Sequence, residues 1–582
     1  MRYTRGHNDP FFMGYRVLGF SLAHDSSVCI INDGELEYFG KEERYTREKR
    51  DKQPFIAIEK ALNAAKGPID IAVMQSPTSN PIVNDVFRCY VCKKAKLDPD
   101  HQWIDFTSEH HMAHAFNSFN NSGFDTALCL VIDRDGSQIW DPNDQLDVDD
   151  FGNATCMHIG RECESVYLMK SPQTCKAVYK AFWMLNPANP RSAGNEKAGW
   201  EQLIKQLRSR YIGSDISISS GYGITKVYES ATTMIGEGPL ENGKTMGLAA
   251  YGEEKNYPPL FNGLVPIDQY FNHEGWTVGV ASQRYPILDK VTKENYKPYA
   301  DWAYHVQKET QKAVNLMVQK YAAKTGVKNI ILTGGYALNV VTNGYLLEKN
   351  PDLNFYFEPN ADDTGNSLGA ALAIYKLNTQ DNKTSPLTDT FYHTMEEPNP
   401  LNIKGEPSSA KEIAELLAKG RSVAIYDGNP EAGPRALGHR SILFDPRKAD
   451  ARDKVNLIKK REWYRPFAGI ILEEHFHEYF ETLGLHSSPN MTINFKATNL
   501  AKEQCPGVIH VDDTCRMQTV TEGFMRDVLV EFDMLTGCPV LINTSFNLAG
   551  EALVHTKDDA LATLTDSMLD YVYFVQDNTL VR

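Results

Sequence analysis

After about fourteen polar, irregular residues the chain alternates between apolar and polar positions. YRVLGFSL, SVCIIND and ELEYFG read as strands, with a tight turn at Asn32 to Gly34. Helical periodicity begins at Phe55 in FIAIEKALNAAKG, which Gly67 stops; a strand IDIAVMQ, a helical HHMAHAFNSF and a strand TALCLVID follow. The middle of the chain predicts a long helix near Trp302 to Thr325, a strand from Asn329 to Thr333, a glycine turn and a helix from about Ala337. NFYFEP and the small-residue helix SLGAALAIYKL close this region. Strands alternating with helices predict an α/β domain over residues 1–404. From Asn378 to Ser409 the composition shifts to Asn, Asp, Thr, Ser and Pro, as in a linker, which puts a boundary near residue 405. A helix at Ala410 to Lys419 and the strands SVAIYDG, AGIILE and PVLINTSF then predict a second α/β domain over 405–582. No internal repeat is visible.

A length of 582 residues argues for more than one core, and 42% hydrophobic with 23% charged residues excludes a disordered or fibrous chain. Sixty basic against 75 acidic residues give a formal net charge of −15, which disfavours a coat for nucleic acid or anionic membrane. The ten cysteines do not read as a disulfide framework, several lying inside apolar runs. With neither a leader nor a membrane-length apolar run, the expected location is the cytoplasm.

His110 and His114 are one helical turn apart, so both imidazoles leave the same face. Asp133, at the end of LCLVID, and Asp363, in PNADDTGNSLGAA, follow apolar strands, where open α/β sheets build ligand crevices. Two histidines and two carboxylates suit Fe(II), Mn(II) or Zn(II), whereas His111, on the neighbouring face, reads as structural. Turns at His24 to Gly34, Asp133 to Ser137 and Thr333 to Asn339 can cradle phosphate oxygens through their amides. In that order they resemble the actin-like ATPase fold of sugar kinases and heat-shock chaperones. A basic segment at 186–212, with Arg191, Lys197, Lys205, Arg208 and Arg210 against Glu196 and Glu201, reads as a solvated insertion or as a substrate-facing flap.

The second domain sets arginines among glycines, apolar residues and aromatics: Arg435 and Arg440 in GPRALGHRSILFDPR, Lys459, Arg461 and Arg465 in KKREWYRPFAG, and Arg516 in HVDDTCRMQTV. The guanidinium fork matches phosphate and carboxylate, so these arginines either hold an anion or form buried salt bridges to Glu431, Glu462 and Asp512. NTSFNLAGE adds Asn543, Ser545 and Asn547 as donors and acceptors.

Together with HDSS at His24, EERYTREK at Glu42, EHHMAHAFNSF at Glu109, GKTMGLAAYG at Gly243 and GGYALN at Gly334, these motifs resemble the O-carbamoyltransferases of nodulation and antibiotic biosynthesis, the NodU/CmcH type, over nearly the whole chain. The resemblance implies an N-terminal actin-like (ASKHA) domain, similar to the protein of tRNA threonylcarbamoyl transfer, and a C-terminal YrdC-like domain. It implies formation of carbamoyl adenylate from carbamoyl phosphate and Mg-ATP in the second domain and transfer to an acceptor hydroxyl at the metal site of the first. The implied metal ligands are His110, His114, Asp133 and Asp363, with Fe(II) preferred, and His24 is the implied base or orienter. Gly335 and Asn339 would line the nucleotide site; Arg435, Lys459, Arg465, Arg516, Asn543 and Ser545 would hold carbamoyl phosphate and the ATP phosphates. Gly428-Asn429, His439, Gly469 and Arg134 depart from the family pattern, and Arg134 puts a side chain where a glycine is common.

The implied partners are ATP, carbamoyl phosphate and a hydroxylated acceptor, by default a small metabolite, with no membrane and with a homodimer as a candidate assembly. A hydroxymethylated nucleobase such as 5-hydroxymethylcytosine, in nucleotide or DNA, is the alternative acceptor; KEERYTREKR at Lys41 and the basic insertion would suit its phosphates. An actin-like kinase or ATPase is the alternative of another class.

Overall fold

The structure is a computed structural model that describes residues 15–582 apart from 78–80, 141–157, 172–173, 185–203, 220–222, 268–280, 282–283, 380–384, 388 and 396–402. The irregular first fourteen residues, most of the insertion and part of the linker lie outside the described residues.

Strands β1 (Arg16–Ser21), β2 (Ser27–Asn32), β3 (Glu35–Lys41), β4 (Ile71–Gln75) and β5 (Trp103–Asp105) form a sheet of order β3-β2-β1-β4-β5. The β1–β2 and β2–β3 pairs are antiparallel; β4 and β5 join in parallel. A second sheet repeats this order. β6 (Thr126–Ile132) pairs antiparallel with β8 (His158–Lys170), which also pairs with β7 (Gln138–Trp140); β9 (Thr174–Met184) continues the meander to an outer strand β10 (Asp215–Ser219). β11 (Phe261–Asn262) and β12 (Val265–Pro266) form a separate hairpin, whereas β13 (Asn329–Thr333) and β14 (Asn354–Phe357) extend β6 in parallel. The sequence shows no repeat, yet one α/β unit occurs twice. Strand order depends on where apolar residues and crossovers fall, not on residue identity, and two such units are the actin-like architecture that the opening hairpin leads one to expect.

Two helices lie between the sheets: α1 (His110–Ser122) on the second and α2 (Asn366–Thr379) on the first. They touch through Gly369, where a Cβ would stand 1.8 Å from the Ala113 carbonyl oxygen. Only glycine permits that approach, and it brings the starts of both helices into one place.

Ten strands from Glu406–Pro407 to Thr579–Val581 make a third, mixed sheet. Its centre runs Val423–Tyr426, Arg440–Phe444, Val540–Ser545, Ala468–Leu472 and Thr514–Val520 in spatial order. The seam with the preceding region mixes polar and aromatic contacts: Lys244 pairs with Glu462 at 2.8 Å, Asn343 Nδ2 donates to the Thr492 carbonyl at 2.8 Å, His510 Nε2 lies 2.9 Å from the Gly247 carbonyl, and Tyr251 and Tyr296 pack on Trp463. The nine described cysteines are free thiols, and among the described residues no helix is long and apolar enough to cross a membrane.

Candidate active site

The start of α1 places His110 and, one turn on, His114 toward the end of β6, where Asp133 follows the last strand residue. Asp363 opens the short turn before α2. His110 Nε2 lies 3.2 Å from Asp133 Oδ2 and 3.3 Å from Asp363 Oδ1; His114 Nε2 lies 3.4 Å from Asp363 Oδ1. One donor atom from each of the four falls within 4.8 Å of the others, and all four residues are buried.

Two buried carboxylates that face each other need a cation. Burial alone would discharge His110, but Asp363 and Asp133 push it up to about 10; burial would likewise raise the two aspartates, and the histidines hold them well below the usual carboxylate range. A divalent ion offers the same compensation in place of protons, and the two-nitrogen, two-oxygen donor set fits one. Behind the cluster, Gln75 at the end of β4 reaches His110 Nδ1 at 2.7 Å.

His24 sits at the turn after β1. Its Nδ1 is 2.9 Å from Asp25 Oδ2, and its Nε2 is 3.8 Å from Asp363 Oδ2. Asp25, in the left-handed region at φ 68°, is held in turn by the buried Lys41 ammonium at 2.9 Å, which also pairs with Glu43 at 3.1 Å. Burial works against a charge on His24, but Asp363 and Asp25 outweigh it and raise the imidazole to about 9. His111, on the far face of α1, bonds Ser165 Oγ at 2.8 Å inside a buried network with Glu162 and Lys180.

The Thr333 to Asn339 turn closes on the same place. Gly334, at φ 83°, runs so near β6 that a Cβ would stand 2.5 Å from the Ile132 carbonyl oxygen, and the Gly335 amide donates to Asp133 Oδ1 at 2.8 Å. Asn339 Oδ1 caps the following helix through the Thr342 amide at 3.1 Å, while its Nδ2 donates to Gln307 at 2.9 Å. The Arg134 side chain is drawn aside, its Nε 2.6 Å from Glu229 and its Nη1 2.9 Å from Asp135.

A cavity of about 980 Å³ joins this end of the actin-like region to the third sheet; it is lined by His24, Asp133, Gly335 and Asn339 and also by Arg435, Arg461, Arg465, Arg516, Asn543 and Ser545. Arg465 lies 3.5 Å from Glu462, but among the described residues Arg435, Arg461 and Arg516 have no ion-pair partner. Arg435 donates to the Leu338 carbonyl at 3.1 Å, Arg461 to Ser545 Oγ at 3.5 Å, and Arg516 Nε is buried without a partner. Burial first, and then neighbouring arginines, lower Arg435 to about 10 and Arg461 to about 9 against the pull of Asp362 and Glu462, and they lower Arg516 well below its ordinary value. Such a cluster lacks its counter-charge. The expected salt bridges are mostly not made: Glu431 Oε1 accepts backbone amides of Leu437, His439 and Arg440, and Asp512 bonds Thr514.

Lys459 stands apart from the other anion candidates. It is fully buried outside the cavity lining, and its ammonium donates to the Ser545 and Asn547 carbonyls and to Asn547 Oδ1 at 2.7 Å. Arg440 is likewise buried, stacked on Tyr426 and donating to Asp427 and Gly428 carbonyls. Asn543 Nδ2 bonds Gln518 at 2.8 Å, and its Oδ1 is buried without a partner. Of the insertion, 204–212 is described: Leu207 packs on Phe182 and Arg210 pairs with Glu109, just before α1.

Sequence reasoning left Gln75 and Asp25 without a role of their own, and it treated Lys41 only as part of the basic run and Arg461 only as part of the arginine set. Asp25 and Lys41 stand inside quoted motifs and Arg461 inside the arginine set; nothing marks Gln75, whose partner is 35 residues away.

The family model for the carbamoyltransferase C-terminus matches residues 414–582, and that for the carbamoyltransferase N-terminus matches 200–372. The chain belongs to the carbamoyltransferase family. It is an enzyme that transfers carbamoyl groups, and its nodulation-type resemblance holds. Nodulation protein NolNO of Sinorhizobium fredii is 27% identical over 94% of this chain and 78% of its own. Nodulation protein NolO of Bradyrhizobium diazoefficiens is 32% identical over 59% of this chain and 66% of its own. Among solved structures, full-length HypF in its phosphate- and nucleotide-bound form aligns at 14% identity over 65% of this chain and 58% of that one, with a TM-score of 0.36.

Proposed function

We propose that the enzyme works in two steps within one cavity: residues 405–582 form carbamoyl adenylate from carbamoyl phosphate and ATP, and residues 1–404 transfer its carbamoyl group to an acceptor hydroxyl. The supporting observation is the cavity itself, which is lined by Arg435, Arg461 and Arg516 and also by His24 and by Asp133, the member of the buried His/Asp cluster that reaches it.

In the first step carbamoyl phosphate loses its phosphate to water, and the resulting carbamate oxygen attacks the α-phosphorus of ATP, releasing pyrophosphate. Arg435, Arg461, Arg465 and Arg516 bind the two polyanions and offset the charge that develops during attack. Asn543 and Ser545 supply neutral contacts, and Lys459 positions Ser545 and Asn547 from behind. The adenylate then crosses the cavity without entering bulk water.

In the second step the acceptor oxygen forms a bond to the carbamoyl carbon, the bond from that carbon to the adenylate oxygen breaks, and AMP leaves. Asp25 fixes the His24 Nδ1; with Asp363 committed to a divalent ion, the charge that raises His24 most would be offset, which leaves Nε2 neutral to take the hydroxyl proton. Gly335 and Asn339 flank the nucleotide. A divalent ion held by His110, His114, Asp133 and Asp363, with Fe(II) favoured over Mn(II) and Zn(II), supplies Lewis acidity at that end.

The acceptor we favour is a small hydroxylated metabolite. Most of the basic run at Lys41 is engaged internally, Lys41 with Asp25, Arg44 with the Glu431 carbonyl, Arg47 with the Leu553 carbonyl and Arg50 with Glu241; of its basic residues Lys49 alone is exposed, which is little for a nucleic-acid backbone. Incubation with ATP, carbamoyl phosphate and a panel of hydroxylated metabolites and hydroxymethylated nucleotides should yield pyrophosphate, AMP and a carbamoylated panel member. ADP would instead indicate a kinase or ATPase.

A further inference from the structure

Arg435 enters the cavity at the end of a loop, Glu431 to Arg435, that belongs to the third-sheet region. Glu431 closes the loop from within, its Oε1 accepting the amides of Leu437, His439 and Arg440. Further holds come from residues 1–404. Arg44 Nη2 donates to the Glu431 carbonyl at 3.1 Å and to the Gly433 carbonyl at 3.3 Å, the Ala432 amide donates to the Thr390 carbonyl at 2.8 Å, and Arg435 itself donates to the Leu338 carbonyl at 3.1 Å.

The tightest approach is to Asn360. A Cβ on the buried Gly433 would stand 1.9 Å from Asn360 Oδ1, whereas the Pro359 carbonyl oxygen would be 3.4 Å away, an ordinary contact. Gly433 does not have left-handed backbone, so a single side chain, and no strain in the loop, is what excludes a larger residue there. Asn360 is itself fixed. It is 1% exposed, its Nδ2 donates to the Tyr392 hydroxyl, its amide donates to Glu358 Oε1 at 3.0 Å, and the Tyr392 ring stands edge-on to Phe39 of β3 at 5.1 Å between centroids. Its Oδ1 is buried without a hydrogen-bond partner, so close packing, and not a hydrogen bond, joins it to Gly433. Asn360 does not line the cavity, whereas Gly433, Pro434 and Arg435 do. It stands three residues before Asp363, on the loop that brings that aspartate to the His/Asp cluster.

We propose that Asn360 is a positioning residue for Arg435: through Gly433, the metal-site loop of the first region sets the place of an anion-binding arginine of the second. Asn360 touches neither the anion nor the reacting atoms and acts by standing behind the loop. The inference rests on the adenylate-forming reading of the cavity, and it adds that the first step requires both regions docked.

The test uses the full chain and inorganic pyrophosphate, the product of the first step, titrated calorimetrically into the wild type, Gly433→Ala, Asn360→Ala, Arg435→Ala and their pairwise combinations. Gly433→Ala drives a methyl into Asn360 Oδ1 and should weaken pyrophosphate binding about tenfold or more, the loss expected for one charge-assisted contact. Removing the Asn360 side chain makes room for that methyl, so Gly433→Ala with Asn360→Ala should bind about fivefold or more tightly than Gly433→Ala alone. In an Arg435→Ala background, Gly433→Ala should cost about twofold or less, because the contact it disturbs is already gone. Asn360→Ala alone should weaken binding only where Arg435 is present, and in assays of pyrophosphate release it should raise the KM for carbamoyl phosphate or ATP more than it lowers kcat. Should Gly433→Ala fail to fold, Asn360→Ala carries the comparison with Arg435→Ala by itself. Unchanged affinity in both single variants, no rescue in the double variant, equal losses with and without Arg435, or no pyrophosphate binding by the wild type overturn the inference. If the rescue and the dependence on Arg435 are found while ATP and carbamoyl phosphate yield no pyrophosphate, the inference stands and the adenylate-forming reading falls.

Discussion

Gln75 and His110 form a buried pair, Nε2 to Nδ1 at 2.7 Å, in which Gln75 Oε1 has no hydrogen-bond partner. Half a turn of the amide would let Oε1 accept the Nδ1 proton and leave Nε2 of His110 free for a metal, which is how outer partners commonly fix a ligating histidine. Gln75→Leu should therefore weaken divalent-metal binding about 10- to 100-fold in a metal titration, with the fold intact by circular dichroism. Unchanged affinity would mean that Gln75 merely fills space.

Asp25 bridges His24 and Lys41, so its role lies in holding the imidazole. Asp25→Asn should slow carbamoyl transfer about a hundredfold or more while pyrophosphate release persists. Loss of both steps together would indicate a structural role at the cavity wall.

The close approach of α1 and α2 at Gly369 carries ligands from both helices into one site. Gly369→Ala sets a methyl against the Ala113 carbonyl and should cost about 2–3 kcal/mol of stability while lowering metal affinity, measured by melting and metal titration. A variant that melts like the wild type would show that the helices can part freely.

Glu164 is buried in β8 with the Ile224 amide at 2.6 Å, and burial raises its pKa from 4.5 to about 7. Burial raises the Glu358 carboxyl to about 7 as well. Between pH 4.5 and 7 the folded chain holds protons that the unfolded chain has released, so stability falls as pH rises through that window. Glu164→Gln should remove about 3 kcal/mol of that fall. Melting temperatures at pH 5 and pH 8 should therefore differ less in the variant; an equal difference would count against a proton on Glu164.

Much of this arrangement is legible in the sequence. The pattern gives the opening hairpin, the helix carrying His110 and His114, and the strand that ends at Asp133, because each follows from local periodicity. The doubled sheet order is not legible as a repeat, since the two units share topology without shared residues; what points to it is the order of the hairpin, the acidic turn and the Gly-Gly turn. Lys459 reads as an anion ligand from its neighbours in sequence, but its ammonium is captured by Ser545 and Asn547, 86 and 88 residues on. Gln75 is hidden for the same reason: its partner His110 lies 35 residues on.

The division of labour between the two ends of the cavity is tested most directly by comparing two variants in both half-reactions. Arg516→Ala should abolish pyrophosphate release from ATP and carbamoyl phosphate, whereas His114→Ala should retain that release and lose transfer to the acceptor. If both variants lose the first step equally, the two-site account is wrong.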